Sequence, residues 1–221
     1  MRISVVIPTW QEAERVGAAI ASAQATLAPH EVIVVDAGST DATREIAAAA
    51  GARVEIAAGS RAVAMNAGAG LATGDALLFL HADTTLPEGA GAAVRAALQT
   101  ADAGAFRHGY DERRPVLHFG NTLRARLTRP VYGDQAIFVT RAAFDRLGGF
   151  SELPIMEDYD FVQRLRRSGR VTVLPLRVRT AARRHRRHGT VTTVARMWTI
   201  QCLYRAGVSP VRLARMYPPA R

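Results

Sequence analysis

The chain has 221 residues, 48% of them hydrophobic and 22% charged, a composition ordinary for a globular protein with one sizeable core. Its net charge of +10 rests on arginine alone, so a lysine nucleophile or Schiff base is excluded. The single cysteine, Cys202, excludes an internal disulfide, and the longest apolar stretch, Val191 to Val208, is broken by Arg196, Gln201 and Arg205 before it could span a membrane.

Met1-Arg2 leads straight into the apolar run Ile3-Ser4-Val5-Val6-Ile7, a predicted strand without the length or cleavage site of a signal peptide. A cytoplasmic location is therefore expected, with peripheral attachment at the inner face of the membrane as a variant. Gln11 to Ala25 reads as a helix, Val32-Ile33-Val34-Val35 as a strand buried on both faces, and Ser39-Thr40-Asp41 as the start of a helix through Ala50. A third strand over Ala52–Ile56, a helix over Ser60–Leu71, a strand over Ala76–Leu80 and a helix over Pro87–Leu98 follow. This βα alternation predicts an α/β fold with a mostly parallel central sheet and helices on both faces. Further on, the spacing predicts a strand at Gly104–Arg107, helices at Val116–Leu127 and Ile155–Arg167, and strands at Gln135–Thr140 and Val171–Leu174. The end is helical, over Thr190–Ala206 and Pro210–Met216. Charge is uneven: residues 1–100 carry 6 Arg against 10 acidic residues, whereas residues 101–221 carry 23 Arg against 9. A basic second half suits an anionic lipid surface, a phosphorylated ligand or nucleic acid.

Ligands of open α/β sheets bind beyond the carboxyl ends of the strands. Three loops leave such ends: Pro8-Thr9-Trp10-Gln11-Glu12, Asp36-Ala37-Gly38-Ser39-Thr40-Asp41 and Leu80-His81-Ala82-Asp83-Thr84. Asp83 reads as a metal- or phosphate-handling carboxylate. Asp36 can accept hydrogen bonds from a base or ribose, Gly38 allows close backbone approach, and Asp41 reads as a helix cap. The first turn lacks the G-x-G-x-x-G of dinucleotide binders, and no lysine exists to complete a Walker A loop. The acids of Glu157-Asp158-Tyr159-Asp160, taken alone, suit a helix N-terminus. Gly133-Asp134-Gln135 suits a turn before a strand as well as it suits a ligand contact.

In order along the chain, these segments resemble a family 2 glycosyltransferase of the GT-A (nucleotide-diphospho-sugar transferase) fold. Val5-Val6-Ile7-Pro8-Thr9-Trp10-Gln11-Glu12 is similar to the V-I-P-x-x-N-E opening, and Val34-Val35-Asp36-Ala37-Gly38-Ser39-Thr40-Asp41 to V-D-D-G-S-x-D. Gly59-Ser60-Arg61 with Asn66-Ala67-Gly68 matches the segment flanking the diphosphate. His81-Ala82-Asp83 stands at D-x-D, and Glu157-Asp158 at E-D. His81-Ala82-Asp83-Thr84, Tyr132-Gly133-Asp134-Gln135 and the tract Arg183 to Gly189 resemble a small bacterial branch associated with radical-SAM and selenium-related proteins.

The resemblance implies a GT-A catalytic domain over residues 1–189, with a nucleotide-binding half at 1–100 and an acceptor half at 101–189, and a helical extension at 190–221. It implies donor contacts from Pro8, Thr9, Glu12, Asp36, Arg61 and Asp83, a divalent metal (Mn or Mg) on Asp83, and Asp158 as general base. Gly133, Asp134, Gln135 and Glu157 would lie on the acceptor side. A UDP-sugar is favoured by family frequency, and the acceptor is unknown, with a lipid-linked one among the classes allowed. Contact with a membrane surface or a second copy through the C-terminal helix is also allowed, whereas nucleic acid is not expected, because no aromatics interleave the arginine tract. Two positions depart from the pattern. Ala37 replaces the second acid of V-D-D, and His81 replaces the first acid of D-x-D, where packing or ribose contact is expected ahead of metal ligation. His185 and His188 read as a solvated basic loop rather than as ligands. A nucleotidyltransferase and a non-catalytic basic module that binds nucleotide or membrane are the competing readings.

Overall fold

The computed structural model describes residues 1–111, 133–183, 186 and 189–217. The expected helix at Val116–Leu127, Tyr132, and His185 and His188 lie outside the described residues. Eight strands form one sheet: β1 (Ile3–Thr9), β2 (Glu31–Asp36), β3 (Arg53–Ile56), β4 (Ala76–Phe79), β5 (Thr84–Thr85), β6 (Ala103–Tyr110), β7 (Ile137–Thr140) and β8 (Val171–Thr180), in the order β3-β2-β1-β4-β7-β6-β8-β5. β3, β2, β1 and β4 run parallel, as do β6 and β8. β7 enters antiparallel between β4 and β6, and β5 pairs antiparallel with β8. The sheet is thus mixed, with parallel pairs in the majority.

Among the described residues the helices are α1 (Val16–Leu27), α2 (Thr43–Ala49), α3 (Arg61–Leu71), α4 (Ala90–Ala97), α5 (Arg141–Arg146), α6 (Glu157–Ser168), α7 (Thr190–Arg205) and α8 (Pro210–Ala214). Strands β1, β2 and β4 are buried along both faces, which is why their sequences lack alternation. On one face Val5, Ile7, Val34 and Leu78 pack with Ile20, Leu27 and Val94 of α1 and α4. On the other, Val6, Leu77 and Phe79 pack with Met65, Phe144 and Phe161 of α3, α5 and α6. A Cβ on Gly68 would overlap Val6 Cγ1, so glycine here lets α3 lie directly on β1.

Several boundaries differ from expectation for local reasons. α1 starts at Val16 because Gln11 takes a left-handed φ of 57° and residues 12–15 form a turn, closed by Arg15 and Val16 amides on the Glu12 carbonyl. α4 begins at Ala90, after Gly89 in the left-handed region, rather than at Pro87. β8 runs through Pro175 to Thr180, and the two-residue β5 directly after Asp83 pairs with its far end; a strand that short leaves no periodicity to read. Gly133–Gln135 is a 3-10 turn, and β7 starts only after it.

Candidate active site

The first two loops are stapled together. Ser39 Oγ accepts from the Gln11 amide, Thr43 Oγ1 from the Glu12 amide, and Asp41 from the Ala13 amide, at 2.8, 2.8 and 3.2 Å. Asp41 also accepts from Thr43 through both its amide and its hydroxyl. Asp41 and Ser39 therefore shape the loops. Asp36 is fully buried, its Oδ1 taking the amides of Gly38 and Ser39 and its Oδ2 the hydroxyls of Thr9 and Ser39. Both oxygens of Asp36 thus brace the turn that holds Gly38 at a φ of 97°, a conformation suited to glycine. Pro8 sits opposite Val35 at the end of the β1–β2 ladder, and Trp10 beyond it is 45% exposed.

Asp83 follows β4 in the turn closed by the Thr84 amide on the His81 carbonyl. It lines a cavity of about 320 Å³ with Arg15, Thr85, Asp111 and Arg179. Burial pushes its carboxyl above the usual range, and the nearby Glu12 carboxylate pushes it further, against Arg183 and the Thr84 hydroxyl. Glu12 is itself held by Arg183 Nη2 at 2.9 Å, across 171 residues of sequence. Arg183, in sequence only the first member of a basic tract, thereby joins the stretch after β8 to the first loop. No sequence spacing announces that pairing.

A second group of charges sits across the site. Arg61 opens α3, and its Nε donates to Glu157 Oε1 at 2.5 Å. Glu157 is 2% exposed, and although burial works against its charge, Arg61 holds its carboxyl below the usual range. Asp158, next in the first turn of α6, behaves in the opposite way. Burial first, and then the Glu157 charge, push its carboxyl up to about 6, against Arg61 and two amides. Those amides are Gly133 N at 2.6 Å on Oδ2 and Tyr159 N at 2.7 Å on Oδ1. Met156, just before the helix, holds a left-handed φ of 69°, a strained value for a non-glycine residue that sets the entry of α6 beside the turn at Gly133.

The expected acceptor-side residues divide by role. Gly133 touches Asp158 directly, and a Cβ there would lie 2.7 Å from His81 Nε2 and 3.1 Å from Asp158 Oδ2. Asp134 faces His108 Nε2 of β6 at 3.3 Å. Gln135 is buried and donates to the Phe106 carbonyl, anchoring the turn to β6. Asp160 pairs with Arg164 and Ser151, a structural role as read from the sequence. His81 Nε2 is closed to solvent and makes no hydrogen bond among the described residues. Burial and the Arg61 charge lower its pKa to about 4, so the ring is neutral near pH 7. His108 carries no signal in the sequence, because it merely follows Gly104-Ala105-Phe106-Arg107, which reads as an ordinary strand.

A model of glycosyl transferase family 2 matches residues 4–143. The chain belongs to this family. The matched span runs from β1 into α5 and ends before α6, so Asp158 lies beyond it. Among solved structures, S. aureus TarS 1–349 in complex with UDP superposes with a TM-score of 0.64 at 20% identity, over 82% of this chain and 60% of that one. Mannosyltransferase PcManGT from Pyrobaculum calidifontis, in complex with GDP-Man and Mn2+, gives 0.67 at 20% identity, over 97% and 68%. Glucosyl-3-phosphoglycerate synthase from Mycobacterium tuberculosis, with Mn2+, UDP and glucosyl-3-phosphoglycerate, gives 0.56 at 21% identity, over 80% and 70%. The chain spans only 35% of a longer TarS chain. At these identities the likeness shows the GT-A fold. No curated protein matches the chain.

Proposed function

We propose that the protein is an inverting glycosyltransferase that moves a sugar from a nucleotide-diphosphate sugar to a hydroxyl acceptor, with Asp158 as general base and a divalent cation held by Asp83. The observation that carries this reading is Asp158 itself: a buried carboxylate at a helix start, fixed by two amides and pushed up to about 6. A base tuned toward neutral pH is the kind that accepts a hydroxyl proton efficiently.

The cation fits the donor set. Among the described residues no three His, Cys, Asp or Glu side chains group closely enough to form a protein cage. A single carboxylate completed by substrate phosphates is the usual arrangement for Mg²⁺, and the raised Asp83 carboxyl beside Glu12 is one that a cation would stabilise in its charged form. When bound, such a cation supplies Lewis-acid neutralisation of the departing diphosphate. Arg61 adds a second positive charge for the same diphosphate. Glu157 fixes its Nε, which orients the rest of the guanidinium fork for phosphate oxygens. Pro8, Thr9, Glu12 and the Asp36 turn form the nucleotide end, where the amide-braced loop makes contact through its backbone. A uridine donor is favoured, since two of the similar proteins are described in complex with UDP.

In the transfer, the acceptor oxygen bonds to the anomeric carbon from the face opposite the diphosphate. The bond to the diphosphate breaks with its electron pair on the leaving oxygen, and the acceptor proton passes to Asp158. Gly133, Asp134 and Gln135 form the wall on the acceptor side. Placement in the small bacterial branch rests on the sequence motifs alone.

The test is product formation by Asp158→Asn with a nucleotide sugar and an acceptor found by screening. The variant should still bind a nucleoside diphosphate but lose transfer by roughly 10²–10⁴-fold, the usual share of general base catalysis. Full retained activity would refute the assignment.

A further inference from the structure

α7 turns apolar side chains outward as well as inward. Its polar Thr193 and Gln201 are buried, at 3% and 8% exposure, whereas Val191 and Trp198 stand 74% and 36% exposed. Val191, Ala195, Trp198 and Cys202 recur at i, i+4, i+7 and i+11, and all four are exposed, so one side of the helix carries an apolar stripe open to solvent. α8 adds exposed Val211 and, just after it, Met216. Residues 190–217 thus hold four of the eight exposed large hydrophobic side chains among the described residues. The same segment contains Arg196, Arg205, Arg212 and Arg215 and not one acidic residue. Arg212 and Arg215 are exposed beside Val211 and Met216, while Arg205 also donates to the Tyr159 hydroxyl at 2.8 Å.

We propose that α7 and α8 form a docking surface for an anionic lipid bilayer, with Val191, Trp198, Val211 and Met216 entering the interface and Arg212 and Arg215 meeting the headgroups. An apolar stripe with tryptophan, flanked by arginines and free of acids, has the composition of an interfacial helix. Charge selects this occupant over a second copy of the chain. Two such surfaces face to face would set arginines against arginines with no carboxylate in the segment to pair them, whereas anionic headgroups supply the missing charge. The surface adjoins the site: Ile200 of α7 and Leu213 of α8 pack on Met156 and Tyr159, which flank Glu157 and Asp158. The docking itself does not depend on the transferase reading.

The experiment is flotation of the full chain with vesicles of phosphatidylcholine alone and of phosphatidylcholine mixed with phosphatidylglycerol, at low and at high salt. Binding to the mixed vesicles, roughly tenfold weaker on the neutral ones and weakened by salt, is the expected result. The pair Val191→Ser with Trp198→Ser and the pair Arg212→Gln with Arg215→Gln should each reduce flotation. Both pairs change exposed positions, so their melting temperatures should match the parent's. Absence of flotation, or binding indifferent to headgroup charge, would overturn the proposal. So would a dimer in solution that the Val191 and Trp198 pair dissolves. Calorimetric binding of a nucleoside diphosphate, measured on the same samples, separates this outcome from a failure of the transferase reading.

Discussion

Glu157 and Asp158 are adjacent carboxylates whose environments push them apart. Glu157 is pinned ionised by Arg61, and its charge, added to burial, raises Asp158. The sign of the pH dependence follows. As the proposed base, Asp158 would act only when deprotonated, so transfer should fall as pH drops through about 6, well above the range of an ordinary aspartate. Glu157→Gln removes the neighbouring negative charge and leaves Arg61 facing Asp158 alone. Its acid limb should therefore move to lower pH, and a pH–rate profile of parent and variant checks the direction. An unmoved limb would leave burial as the cause, and a raised limb would contradict the contribution of the Glu157 charge. In the sequence, Glu157 and Asp158 stand out only by their place after the other motifs. The Arg61–Glu157 pair spans 96 residues, and nothing in local spacing predicts it. His81 is legible as a departure from the pattern but not as a ring whose Nε2 is closed to solvent and faces Gly133.

At the scale of elements, two glycines carry the close approaches that set the site. Gly68 lets α3 press against β1, and α3 in turn carries Arg61 at its first position. Gly68→Ala should force Val6 aside and cost about 1–3 kcal/mol, lowering the melting temperature by roughly 2–4 °C per kcal/mol. Gly133→Ala would crowd His81 Nε2 and Asp158 Oδ2 instead. On the proposed assignment the expected loss is in turnover, since the Gly133 amide holds Oδ2 of Asp158, the proposed base; a nucleotide affinity that falls as far as turnover would contradict it. The parallel strands are readable because burial on both faces leaves unbroken apolar runs such as Val32-Ile33-Val34-Val35. β5 and the far half of β8 are not, since a two-residue strand and a run through Pro175, Arg177 and Arg179 give no clear strand signal. Their pairing matters, because it places β8 and Ala181 against the Asp83 turn.

Across the whole molecule, distant parts of the chain converge beyond the carboxyl ends of β1, β4 and β8. Glu12 from the first loop, Asp83 from the middle and Arg183 from the stretch after β8 meet electrostatically. The uneven charge along the sequence gains a physical purpose there, since an arginine from the basic half neutralises a carboxylate of the acidic half. The same basic half ends in α7 and α8, whose exposed apolar stripe lies beyond Met156 and Tyr159. The family and the fold are legible because the motifs occur in order, the first, second and fourth at strand ends and the last at the start of α6. The division of labour within the site is not, because it depends on burial and on pairs made across the sheet.

The proposed nucleotide-diphosphate site has Asp83 at its metal end and Asp158 at its acceptor end. Calorimetric titration of UDP, with Mn²⁺ and then with chelator, into the parent, Asp83→Ala and Asp158→Asn tests it most directly. Mn²⁺-dependent binding to the parent, the same binding to Asp158→Asn, and at least a roughly tenfold loss for Asp83→Ala are expected. Binding to Asp83→Ala that equals the parent's, in metal and in chelator alike, would contradict it.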